Sequence, residues 1–402
     1  MTQLVIARTI SGIGGGGMNS LVSILLTDIV PLRERGVWQG YLNLIFAAGT
    51  STGAPLGGLL ADSIGWRWSF LGQVPLCIAA FVAVFYLLHL PKTDHSHWLE
   101  KMRKIDFLGA YSLIAAVVAL LLGLDAGSNQ GWRHPLTLIS LGLFPLFAVL
   151  FIFVEMRVAS HPFAPGHVIF DKTLVALYAA NFFGMAGQIS PIFFAPLFFQ
   201  AVQGLSATYS GTLLIPAMLG AVSASLVGGV VFKRTGRYYW ITVAAFALLL
   251  LSVVPITASI YLRSTWGMVL GLVATALGAG GGVTTTLMGL LSSTSAADSA
   301  VVIACSYLFR SLGSSLGISF AAAVLQQTLR TQLAARLPND AREIEERVRQ
   351  SLDAIKDLAP EVAAEVRTSY MWGCVGAMVP TAGVLVLAFL ATFFVREKVL
   401  AK

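Results

Sequence analysis

Apolar residues recur in long runs separated by short polar segments, and the runs have the length that crosses a bilayer. A hydrocarbon core of about 30 Å takes about 20 residues of helix. Eleven stretches qualify: Thr2–Val30, Gly36–Ala61, Trp68–Leu90, Ile105–Leu124, Leu136–Val154, Leu174–Phe199, Ser210–Phe232, Trp240–Tyr261, Gly267–Leu291, Ala300–Leu325 and Tyr370–Val395. Each predicts a helix, because backbone polar groups left unpaired in lipid cost several kcal/mol apiece. Pro191 and Pro196 predict a kink in the sixth. One connection breaks the pattern: Gln326–Ser369 is long and holds eight acids and seven bases. Asp340 with Glu343 fits a capping box, and Glu343/Arg347 and Glu345/Arg349 fall at i, i+4 spacing. Pro360 suits the start of a second short helix. The segment is expected to form a solvated helical cap, with a partner-binding role as the alternative.

Composition agrees with lipid as the solvent. Of 402 residues, 56% are hydrophobic and 11% charged, against about 25% charged in soluble domains. Mean hydropathy is +0.80. An all-α integral membrane protein follows, and disorder or an ordinary cytosolic enzyme is excluded. The net charge of +7 would suggest nucleic acid in a soluble chain. Here the bases sort by loop. Arg33, Arg35, Lys92, Lys101, Arg103, Lys104, Arg157, Lys172, Lys233, Arg234, Arg237, Arg396, Lys398 and Lys402 fall on one side, and only Arg67, Arg133 and Arg263 in short loops on the other. Positive loops face the cytosol, so the C-terminus is expected there and the first span begins on the far side.

The chain also carries an internal repeat. Gly12, Gly14 and Gly16 in the first span match the run from Gly278 in the ninth. Gly53 and Gly57 in the second match Gly313 and Gly317 in the tenth. Small residues four apart let helices approach closely in lipid. Three spans precede Gly278 in its half and none precedes Gly12, so equivalent halves imply three absent N-terminal spans. The spans Ile105–Leu124 and Leu136–Val154 would be a hairpin inserted between halves. The expected organisation is a remnant N-terminal bundle (1–90), a linker with the hairpin (91–171) and a six-helix bundle (172–402) carrying the polar segment 326–369.

These residues resemble the major facilitator superfamily, in its fourteen-span drug:proton antiporter branch. Arg8-Thr9-Ile10-Ser11-Gly12-Ile13-Gly14 is similar to the family's Arg-x-x-Gln-Gly-x-Gly motif, with Ser11 in place of Gln. Gly49-x-x-x-Gly53-Ala54-Pro55-Leu56-Gly57-Gly58 resembles the antiporter motif, its proline displaced by one position. The stretch Ala61–Phe70 followed by Gln73-Val74-Pro75 resembles fungal vacuolar basic amino acid transporters. Gly229, Lys233, Arg234, Gly236 and Arg237 resemble a cytosolic gating turn. The resemblance implies a two-bundle secondary transporter working by alternating access. It implies proton-coupled export of basic amino acids into the vacuole. Efflux of drugs or other organic cations at the plasma membrane is the alternative. A truncated, non-transporting membrane protein is a third reading.

An ionised group at the bilayer centre costs at least about 2.5 kcal/mol and marks a candidate site. Arg8 and Arg310 are such groups. By the resemblance, Arg8 would couple proton to substrate or hold a substrate carboxylate. Arg310 is open between structural pairing and transport. Gln39, Asn43, Gln73, Asn181 and Gln188 are the uncharged polar candidates for a cavity. Asn181 and Gln188, seven apart, share a helical face. Asp28, Asp62, Asp106, Asp125 and Glu155 all lie near span ends, where caps and interfacial charges belong. Gly12-x-Gly14-x-x-Gly17 fits the dinucleotide fingerprint literally, but inside a spanning helix it has no strand before it and no exposed N-terminus. His89, His95 and His97 lack neighbouring ligands at metal spacing. Cys77, Cys305 and Cys374 are far apart and within apolar runs. No metal, cofactor, nucleic-acid partner or enzymatic constellation is expected.

Overall fold

Fifteen α-helices follow one another in the described residues of the computed structural model, which are 2–65, 67–88, 105–158, 166–295, 298–337, 344, 347–348 and 352–397. They are α1 (Thr2–Ile29), α2 (Leu32–Ser63), α3 (Arg67–Leu71), α4 (Gln73–Leu87), α5 (Phe107–Gln130), α6 (Pro135–Phe153), α7 (Gly166–Ile169), α8 (Lys172–Leu197), α9 (Ala207–Thr212), α10 (Ile215–Thr235), α11 (Tyr239–Leu251), α12 (Val253–Tyr261), α13 (Thr265–Ser292), α14 (Ser299–Arg336) and α15 (Pro360–Thr392). Among the described residues there is no strand. Ten helical segments are long and apolar enough to span a bilayer. The one predicted span outside those ten, Gly36–Ala61, coincides with α2, 32 residues long.

Three spans are interrupted, and proline explains each break. A proline lacks an N–H and its ring presses on the carbonyl four residues earlier. Accordingly α3 ends at Leu71, four before Pro75; α9 ends at Thr212, four before Pro216; and α11 ends at Leu251, four before Pro255. At the last break Ser252 donates to the Leu249 carbonyl (2.7 Å) and pairs with Thr275 on α13 (2.8 Å). Helix α8 behaves differently. It continues through Pro191 and Pro196 and closes in a wider π-helical turn, Phe198–Val202. Asp106 and Asp171 cap α5 and α8, accepting from Gly109 N (2.8 Å) and from Thr173 N (2.9 Å) and Leu174 N (3.1 Å).

The polar segment differs from expectation. Gln326–Arg336 prolongs α14, and Pro360 begins α15 itself rather than a separate short helix. A helix keeps its i to i−4 backbone bonds beyond the bilayer while water solvates its charged side chains, so a span need not stop at the bilayer edge. Arg336 and Glu365 join the two overhangs at 2.6 Å. A short 3-10 helix, Leu352–Asp357, lies between them. The Asp340/Glu343 box, the Glu345/Arg349 pair and His89, His95 and His97 lie outside the described residues.

Helices α8 and α10–α15 pack into one bundle around Phe198, Phe199, Leu249, Ile256 and Leu272. Close backbone approach at glycines sets its spacing. A Cβ on Gly313 would fall on the Phe182 carbonyl, one on Gly317 on the Ala186 carbonyl, and one on Gly280 on the Ala221 carbonyl. At Gly278 it would stand 2.7 Å from the Ala245 oxygen. The α5–α6 hairpin packs on itself and, through α5, on α14. Accessible area totals 22134 Å², against about 15,000 Å² for a water-soluble monomer of this mass. Helix α4 has no buried residue. Its apolar surface suits a hydrocarbon solvent.

Candidate functional site

The N-terminal helices meet the C-terminal bundle along a seam formed by α2 on α10 and α13 and by α1 on α14. Its features begin at the basic end of the molecule, where Lys233 and Arg234 lie beside Val37 and the Arg396 carbonyl accepts from Tyr238. Glu34 and Lys233 pair across it at 2.8 Å, both side chains nearly half exposed. Two residues on, Gly36 and Gly229 bring α2 and α10 into backbone contact: a Cβ on Gly36 would lie 3.0 Å from Gly229 Cα. One turn further a Cβ on Gly40 would stand 3.2 Å from Leu226 Cα. Asn43 then donates to Ser225 Oγ (2.7 Å), which pairs with Thr284 Oγ1 (2.6 Å). Gln39, 2% exposed, lies on the same helix with its Oε1 buried and unpartnered.

On the α1 side, Ser23 hydrogen-bonds the Tyr307 hydroxyl of α14 at 2.7 Å. Arg310, one turn along, places its guanidinium 5.1 Å from the Tyr307 ring centroid. Arg35 closes the α1–α2 corner, donating to the Thr27 (2.6 Å) and Val30 (2.9 Å) carbonyls. Burial pulls its guanidinium below the ordinary value, and Asp28 pushes back.

Behind the seam, Asn181 is 3% exposed and ties three helices together. It donates to Ser306 Oγ (3.2 Å) and accepts from Thr286 (2.9 Å). Asn181 and Gln188 both border a space of about 10 Å³ with Phe246, Gly278 and Gly282, the size of one water. Gln188 donates to Met185 Sδ (2.8 Å). Of the phenylalanines in that span, Phe198 and Phe199 are buried and Phe193 is exposed.

Other predicted residues lie elsewhere. Arg8 stands in an open groove of about 740 Å³ between α1 and α4, 6.0 Å from the Phe70 ring, with Arg67 and Cys77 on the same walls. Gln73 bonds the Ser69 carbonyl (2.9 Å) and so serves its own helix. In α1 and α2 the close contacts are at Gly36 and Gly40. A Cβ on Gly12, Gly14, Gly16, Gly49, Gly53 or Gly57 would meet nothing within 4 Å. Pro55 and Gly58 lie in helical α2. Gly236 ends α10 in the left-handed region (φ +68°), and Arg237 follows in the turn.

Sequence reasoning missed Ser23, Ser225, Thr284, Thr286, Ser306 and Tyr307. Their signal was faint: hydroxyls are common in membrane helices, and only the run Thr284–Thr286, just past the glycines, was unusual. Those three threonines are fully buried.

The Glu34–Lys233 pair joins α2 to α10 across the seam and adds little stability, since exposed pairs contribute under about 1 kcal/mol. If the pair latches the seam, Lys233→Glu alone is expected to lower activity while barely moving the melting temperature. Adding Glu34→Lys should restore most of the rate. Equal impairment in single and double variants would count against the latch.

Residues 1–318 match the profile of the Major Facilitator Superfamily. The vacuolar membrane amino acid uptake transporter fnx2 of Schizosaccharomyces pombe is 36% identical over 397 residues, covering 98% of this chain and 69% of that one. The multidrug resistance protein fnx1 of the same yeast is 32% identical over 378 residues, covering 92% and 71%. Among solved structures, a bacterial homolog of the human lysosomal transporter Spinster, inward-facing and occupied, aligns at a TM-score of 0.47 and 14% identity, covering 94% of this chain and 84% of that one.

Proposed function

This chain belongs to the major facilitator superfamily and is a secondary transporter, and on that premise we propose that it exports basic amino acids from the cytosol into the vacuole in exchange for protons. The observation that carries the reading is the 36% identity to a vacuolar amino acid uptake transporter across 98% of the chain. The Gly49–Gly58 run, similar to an antiporter motif, supports exchange. Alternating access would then consist of breaking and remaking the seam. The Glu34–Lys233, Asn43–Ser225 and Ser23–Tyr307 contacts open when the cytosolic side admits solute. The turn at Lys233, Arg234, Gly236 and Arg237 lies at the cytosolic mouth in this reading.

A second reading, efflux of organic compounds at the plasma membrane, is favoured by the 32% identity to a multidrug resistance protein. Vacuolar vesicles from cells with and without the gene separate the two. Under an imposed proton gradient, labelled Lys or Arg uptake is expected to fall severalfold on deletion. Unchanged uptake with raised drug sensitivity would establish the second reading instead.

A further inference from the structure

Arg310 lies about ten residues into the apolar part of α14, where a cation needs compensation. The ion pairs described are Lys233–Glu34 and Arg336–Glu365, and neither involves it. Its Nε is buried with no acceptor. What it has is the face of Tyr307, 5.1 Å away. Tyr307 also takes a side-chain hydrogen bond from the guanidinium, and the Nε edge of the planar fork is left open. A carboxylate is the group that fork matches, two parallel N–H···O bonds at once. Open space lies along the facing helix. Beyond Ser23, away from the basic end, α1 presents Gly12–Gly17, where added Cβ atoms would meet nothing within 4 Å at Gly12 and Gly14–Gly17.

Tyr307 makes this more than a binding group. Its ring carries Arg310, and its hydroxyl holds Ser23 across the seam at 2.7 Å. A guanidinium drawn toward a carboxylate slides off the ring, and the ring's hold on α1 changes with it. We propose that Arg310 receives the carboxylate of the transported solute, and that Tyr307 is the positioning residue that passes occupancy to the Ser23 contact between the halves. This deepens the amino acid reading and rests on it: the recognised feature is the carboxylate, and amines lacking one are not carried.

The test uses the full chain, purified and reconstituted, with thermal-shift binding of amino acids beside their decarboxylated amines (lysine with cadaverine, arginine with agmatine, and neutral pairs). The acids are expected to bind at least about tenfold tighter than their amines. Arg310→Gln should erase that preference. Should Arg310→Gln fail to fold, Arg310→Lys, which keeps the charge and loses the fork, is expected to weaken acid binding about tenfold. Tyr307→Phe and Ser23→Ala should each leave lysine affinity within about threefold yet slow uptake at least about fivefold, and the double variant should be no worse than either. Acids and amines binding equally would overturn the carboxylate assignment while leaving an amino acid transporter in place. A preference surviving in the Arg310 variants would overturn the role of Arg310. Binding of no amino acid at all would remove both the assignment and the reading beneath it.

Discussion

Gly229→Val is expected to abolish transport while leaving a well-folded protein. A Cβ at position 229 would fall on the backbone of Gly36 and stand 2.8 Å from Val37 N. Backbone cannot yield as a flexible side chain would, so α2 and α10 must part. Helix α2 lies outside the bundle around Phe198 and Leu249, whose core does not depend on its contact with α10. The cost therefore falls on the conformation in which the basic end is closed. Overpacking of about 1–3 kcal/mol, applied to one of two interconverting states, shifts their ratio by roughly ten- to hundredfold. Gly36→Ala gives a graded comparison, because its Cβ would lie 3.0 Å from Gly229 Cα and 3.6 Å from Met288 Cγ. Uptake should fall mildly in Gly36→Ala and by at least about tenfold in Gly229→Val, with similar melting temperatures. A large loss of thermal stability in Gly229→Val would show that the contact is structural.

Gly317→Val should do the opposite and remove the folded protein itself. The Ala186 carbonyl and Cα occupy the place of the new Cβ, and both helices, α8 and α14, lie inside one bundle. No rocking motion relieves that clash. Destabilisation of about 3 kcal/mol or more is expected, visible as loss of the monodisperse peak on size exclusion after detergent extraction. Gly383→Ala is the control: its Cβ would meet nothing within 4 Å, and alanine is the better helix former. A monodisperse Gly317→Val peak would mean that α14 can move away from α8 at little cost.

How much of this was legible in the residues varies by feature. The spans were plain, because about 20 apolar residues in succession suit a bilayer and little else. The overhangs were not, since Gln326–Arg336 and Pro360–Ser369 carry charge, and charge marks the end of a span but not of a helix. The breaks at Leu71, Thr212 and Leu251 were written at Pro75, Pro216 and Pro255, four residues downstream, yet equally visible Pro191 and Pro196 leave α8 continuous. Tertiary surroundings decide which prolines interrupt. The glycines at 278, 313 and 317 stand at close approaches; those at 12, 53 and 57 have the same sequence spacing and no near neighbour. Spacing shows where helices are able to approach, not which partner takes the place. Arg310 was conspicuous as a charge in an apolar run, but its link to Ser23 passes through Tyr307, 284 positions from that serine. No local pattern encodes a pairing that distant.

The Arg336–Glu365 pair ties the overhanging ends of α14 and α15 into a two-helix mast. Eleven residues past Leu325 at 1.5 Å each raise its tip about 16 Å above the hydrocarbon, or about 45 Å from the basic end of the seam. A tilt of the C-terminal bundle by about 10° about that end would sweep the tip through about 8 Å of arc. Movement that is sub-ångström at Gly229 would thereby be magnified into a displacement of the outermost part of the molecule, and anything resting on the mast would feel it.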